Sequence, residues 1–142
     1  MKKIVCGICL VLLLSGPAWG QEEKAAQVRV LAKTGKSWNG AELPSYPTGT
    51  PEVTILRIVI PAKARLAMHQ HPVINAGVLL SGELTVVTDD EKVLHMKAGD
   101  PIVEVVGKWH YGKNEGDTPA EIVVFYAGVS DQPITVKAQN QK

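Results

Sequence analysis

His69-Gln70-His71 and, some forty residues later, His110 are the residues of this chain whose types and spacing could do chemistry. In an extended strand successive side chains point to opposite faces, so His69 and His71 share a face about 7 Å apart. That spacing suits a single metal ion between two imidazoles. His110 follows Gly107-Lys108-Trp109, a tight turn able to aim one side chain inward from a neighbouring strand. Three of the four histidines thus fit one site, and neutral imidazole accepts zinc, iron, copper and nickel alike. The alternative is that His69 and His71 are partly exposed strand residues with no shared partner.

The elements that must position these residues read as β-strands. From Val53 to Lys137 short apolar runs alternate with turn signals: 53–60, 65–71, 74–80, 83–88, 92–97, 101–106, 109–113, 121–126 and 134–137, parted by Pro61, Pro72, Ser81-Gly82, Asp89-Asp90, Ala98-Gly99-Asp100 and Gly107. Even spacing of β-branched runs predicts an all-β sandwich or barrel, and no window after residue 52 predicts a substantial amphipathic helix. Leu84 and Val86 share one face of their strand. Leu94 and Met96 point together, which puts His95 on the outer face.

The first twenty residues read as a signal peptide, with Lys2 and Lys3 before an apolar run from Ile4 to Leu14 and Ala18 and Gly20 before a cleavage point at Gln21. Eleven apolar residues fall short of the roughly twenty that span a bilayer, so no membrane association is expected after cleavage. The expected location is periplasmic or secreted. Cys6 and Cys9 both lie in that segment, leaving nitrogen and oxygen as the available metal ligands. Without Lys2 and Lys3 the 15 basic residues fall to 13 against 14 acids, a net charge of −1 that gives nucleic acid no basic surface to bind. Residues 21–52 read as an N-terminal arm, with a short strand at Val28-Arg29-Val30-Leu31-Ala32 and then a Gly/Pro-rich stretch that packs Trp38 and Tyr46 on the barrel exterior.

His69-Gln70-His71, Asn75 and Gly82 have the spacing of the first conserved motif of the cupin superfamily, and Gly99, Val105, Gly107, His110 and Asn114 that of the second. The chain resembles a small single-domain cupin over about residues 50 to 130. The resemblance implies a jelly-roll β-barrel over residues 53–137, frequently a homodimer, with one divalent transition metal (Zn, Fe, Mn, Ni or Cu) held by His69, His71 and His110. Three positions depart from the pattern. Lys63 stands where the family usually has glycine, Val105 where it has proline, and Asn75 where it has a glutamate ligand. Asn75 offers a metal only an amide oxygen, or serves instead as a turn or supporting residue. Three imidazoles and an amide leave a divalent site at +2, which favours an anionic ligand.

Glu104 is the candidate catalytic carboxylate. It shares strand parity with Ile102, so it faces the interior if Ile102 does, as a ligand or a general base; if Val103 and Val105 face inward instead, Glu104 is solvated. Arg57, Gln70 and Tyr111 are further pocket candidates. Two functions remain in view: a metal-dependent enzyme acting on a small anionic molecule, and a non-catalytic periplasmic module that captures a metal or small ligand.

Overall fold

A computed structural model describes residues 25–139; the signal-peptide expectation therefore lies outside the described residues. Nine strands follow in order: β1 (Pro51–Ile60), β2 (His69–Gln70), β3 (Ile74–Ser81), β4 (Glu83–Thr88), β5 (Val93–Lys97), β6 (Pro101–Val103), β7 (His110–Lys113), β8 (Ala120–Val129) and β9 (Val136–Lys137). They form a four-stranded sheet in the order β1-β8-β3-β6 and a five-stranded sheet in the order β5-β4-β7-β2-β9. Every strand pairing in both sheets is antiparallel. No helix occurs among the described residues. The all-β jelly-roll expectation holds.

The period of two decides what lies between the sheets. On β8, Ala120, Ile122, Val124 and Tyr126 are buried, while Phe125 between them is exposed. Their cross-strand partners continue each row: Ile122 faces Ile58 and Leu79, and Val124 faces Leu56 and Gly77. Leu84, Val86 and Met96 close the core from the other sheet, and His95 is exposed, as its parity required.

The turns explain why the motif residues are needed. Gly82 sits at φ +75°, and a Cβ there would stand 2.6 Å from the carbonyl oxygen of Pro119, so any side chain would meet backbone. Lys63, standing where the family usually has glycine, adopts φ 61° all the same, a conformation that costs an L-residue about 1 kcal/mol. Asn114 is buried, and its amide nitrogen donates to the carbonyls of Ile60, Pro61 and Thr118 at 3.1, 3.2 and 2.8 Å while its oxygen accepts from the Gly116 N–H at 3.0 Å. Asn114→Ala strands these groups together and is expected to cost about 2 kcal/mol in chemical denaturation.

The arm departs from expectation in two places. Val28 to Ala32 is not a strand, and Val28 and Val30 are 90% and 71% exposed. The edge it could have joined is in use: the Trp38 N–H donates to Val103 O at 2.9 Å, and the Ser37 hydroxyl donates to Glu104 O at 2.8 Å. Trp38 packs against the core, whereas Tyr46 is exposed and finds no such cover.

Candidate metal centre

His69 on β2 stands directly opposite His110 on β7, and His71, just past the end of β2, is held by a parallel bridge to Val106. The ring centroids are 4.5 Å apart for His69 and His110, 5.0 Å for His69 and His71, and 5.1 Å for His71 and His110. Each ring has its Nδ1 on a backbone carbonyl: His69 on Ala67 at 2.8 Å, His71 on Ile134 at 2.8 Å, His110 on Lys108 at 2.9 Å. A carbonyl can only accept, so each Nδ1 carries the proton and each Nε2 presents a lone pair. The three ligand atoms lie within 4.8 Å of one another. Burial disfavours protonating His71 and His110, which lowers the His71 pKa to about 4 and that of His110 below the ordinary imidazole value.

The facing sheet contributes a second row. Asn75 on β3 pairs with Tyr126 on β8, and the Glu104 N–H donates to Asn75 O at 3.1 Å, so Tyr126, Asn75 and Glu104 stand side by side across three chain segments. Tyr126 lies with its ring 5.3 Å from that of His71. Glu104 Oε2 is 3.6 Å from His110 Nε2. The open question about Glu104 is thereby answered. Its side chain is buried, and β6 ends at Val103, so strict alternation stops there and Ile102, Glu104 and Val105 are all buried while Val103 is only half-buried. Burial raises the Glu104 carboxyl to about 7, and burial with the nearby Glu104 charge raises the Tyr126 phenol to about 12.

The donor set fits a metal. His110 Nε2, Glu104 Oε2 and Asn75 Oδ1 are all buried without a hydrogen-bond partner. Two lone pairs at 3.6 Å, one imidazole and one ionised carboxylate, repel unless a metal ion or a proton lies between them. Ligands each about 2.1 Å from a tetrahedral ion stand about 3.4 Å apart, close to that separation. Asn75 is fully buried beside this row, and its Nδ2 makes only a long 3.4 Å contact to Val73 O.

Below the imidazoles a cavity of about 300 Å³ runs between the sheets. His69, His71, Glu104, His110, Tyr126, Thr135 and Lys137 line one end, and aliphatic side chains and Gly112 line the rest. Three of the sequence candidates lie elsewhere: Arg57 pairs with Glu121 at 2.7 Å on the outer face, Tyr111 carries the Arg65 guanidinium 3.7 Å above its ring, and Gln70 points away from the cavity lining. Tyr126 and Thr135, whose hydroxyl is 3.2 Å from His71 Nδ1, were not foreseen. Tyr126 was legible as the one inward aromatic in an aliphatic strand; Thr135 carries no signal of its own.

Two antiparallel sheets closed over converging imidazoles define a jelly-roll barrel whose three histidines could hold a metal ion. The sequence matches the family model described as Cupin domain over residues 56–126, and the chain belongs to that family. No curated protein matches it significantly. Among solved structures, an oxalate oxidase in complex with the substrate analogue glycolate is 26% identical, with a TM-score of 0.51 over 61% of this chain and 46% of its own. The DMSP lyase DddQ from Ruegeria pomeroyi is 19% identical, with a TM-score of 0.56 over 72% of this chain and 49% of its own. A Bacillus subtilis oxalate decarboxylase with Mn(II) centres is 22% identical, with a TM-score of 0.51 over 60% of this chain and 23% of its own. The aligned region is thus less than half of each of these proteins.

Proposed function

We propose that this protein is an exported, metal-dependent cupin enzyme acting on a small anionic organic molecule. The observation that carries the reading is the buried Glu104 carboxyl, aimed at the histidine cluster with an unpartnered oxygen. A buried carboxyl with an unpartnered oxygen beside the ion can take up and return a substrate proton, a capacity that capture of a metal does not require. His69, His71 and His110 would hold one divalent transition metal, with Glu104 supplying the charge that Asn75 cannot. When bound, the metal supplies Lewis-acid or redox chemistry according to its identity. Mn(II) in the similar oxalate decarboxylase, and a donor set of imidazole and carboxylate without thiolate, support a first-row ion of the Mn-to-Zn range. With the ion on the three imidazoles, Glu104 would stand beside it as the carboxylate able to take up a substrate proton, and the Tyr126 hydroxyl would donate a hydrogen bond in the same cavity. Export rests on the signal-like first twenty residues.

The test is to load metal-free protein with Mn(II), Fe(II) or Zn(II) and follow a panel of small organic acids by NMR. Consumption that disappears in Glu104→Gln while the metal stays bound supports the enzyme; tight metal binding with no consumption by any metal form makes it a capture module.

The reading includes a homodimer, supported by the apolar outer face of the four-stranded sheet. There Phe125 stands between Ile55 on β1 and Ala76 on β3, and Val53, Ile55, Val59, Leu80 and Phe125 are all 43% exposed or more. Faces of this kind mark protein contacts. Sedimentation is expected to show a dimer that Phe125→Glu converts to monomer; a wild-type monomer at every concentration contradicts it.

A further inference from the structure

We propose that the cavity selects an amphipathic monoanion: one oxygen-donor head at the histidine end and an unbranched or aromatic apolar body of about ten non-hydrogen atoms along the barrel. The proposal rests on the metal reading above and adds what the ligand is.

The strand register sets the argument. Moving away from the centre along β8, the row of Tyr126 and Asn75 gives way to Val124 with Leu56, then to Ile122 with Ile58. On the other sheet, the row of His110 and Thr88 gives way to Gly112 with Val86, and Leu84 follows on β4. Leu56, Ile58, Leu84, Val86, Ile122 and Val124 all line the cavity. Leu56 and Ile58 point inward yet stay half-buried, because the space in front of them is open. Gly112 lines the same space between Leu84 and Leu66, where a Cβ would press on both at 3.3 and 3.4 Å.

Charge limits the head to one anion. A divalent ion with three neutral imidazoles and an ionised Glu104 keeps a net charge of +1, enough to balance a single carboxylate. Apart from the histidines and Glu104, the charged side chain on the cavity is Lys137, exposed and paired in register with His69 at the histidine end, so the far end holds no cation. A second carboxylate on the ligand would therefore lie among aliphatic side chains with no counter-ion, and burying an unpaired charge is strongly unfavourable. A volume of about 300 Å³ matches roughly ten waters at about 30 Å³ each, which sets the size of the body that displaces them.

Calorimetric titration of the Zn(II)-loaded protein tests this, with acetate, butanoate, hexanoate, octanoate and adipate as the probes. Affinity is expected to rise about 4-fold per methylene, reaching about 200-fold between acetate and hexanoate. Adipate, hexanoate with a second carboxylate, is expected to bind at least about 100-fold more weakly than hexanoate. Val86→Phe, which fills the cavity, should abolish the gain beyond butanoate; Val124→Ala, which enlarges the cavity, should move the best chain to a longer one and serves if the first variant fails to fold. Zinc uptake is read first. Failure to take up zinc and, in its place, Mn(II), Fe(II), Ni(II) or Cu(II) overturns both this proposal and the metal reading, whereas metal uptake with affinities flat along the series, or adipate equal to hexanoate, overturns this one alone.

Discussion

A His110→Ala protein is expected to fold and to lose its metal. His110 is almost fully buried and supplies one of three converging nitrogens, with Nδ1 fixed on the Lys108 carbonyl at 2.9 Å. Removing a partner that only orients a ligand costs about 10- to 100-fold in metal affinity, so removing the ligand itself should exceed about 100-fold. A metal at 100 times its Kd stabilises the folded state by about 2.7 kcal/mol, and that gain should vanish from the variant's melting curve. The metal-free variant should melt below metal-free wild type, because the truncation leaves a buried cavity and breaks the Nδ1–H bond to Lys108 O, so the metal's contribution is read as the difference between melts with and without metal for each protein. Turnover unchanged in this variant would remove the metal from the reaction.

Glu104→Gln is expected to act in opposite directions with and without metal. In the metal-free protein burial raises the Glu104 carboxyl to about 7 from 4.5, so the folded state holds a proton that the unfolded state releases. Between those values the folded protein binds more protons, and its stability falls as pH rises. His71 works the other way: its folded value of about 4 lies below 6.5, so its contribution is full above pH 6.5 and is lost as pH falls towards 4. Wild type without metal should therefore be nearly flat from pH 4.5 to 6.5 as far as these two groups decide it, and weaker above. Glu104→Gln removes the first slope and leaves the second. At pH 8 the metal-free variant should be about 2 to 3 kcal/mol more stable than wild type, roughly 10 °C in melting temperature, and the two should converge below pH 4.5. With metal bound the order should reverse, because the carboxylate that destabilises the empty site balances the ion's charge. Melts across pH with a chelator and with added metal read both signs. A metal-free variant no more stable than wild type at pH 8 would place the Glu104 carboxylate in solvent.

How far these residues were legible differs from one to the next, for physical reasons. The two-residue repeat put His69 and His71 on one face, yet β2 spans only His69 and Gln70, and His71 is set by its bridge to Val106, a contact no local pattern encodes. Ile102 announced the inward parity of Glu104, but alternation ends with β6, and what then buries both Glu104 and Val105 is the chain's turn towards His71, whose carbonyl accepts the Gly107 N–H at 2.8 Å. Arg57 reads as a pocket residue because its strand is apolar; it lies outside because that strand's outer face is apolar as well, with Glu121 across the sheet to pair it. The cavity was out of reach of sequence, because its walls come from strands far apart in the chain.

The central claim is that His69, His71 and His110 hold one metal ion with Glu104 beside it. The most direct measurement is the metal content of purified protein after dialysis against Mn(II), Fe(II), Zn(II), Ni(II) or Cu(II), set beside the triple variant His69→Ala, His71→Ala, His110→Ala. About one equivalent of a single metal in wild type and none in the triple variant is the predicted result. No retained metal in wild type, or an equal content in both proteins, would contradict it.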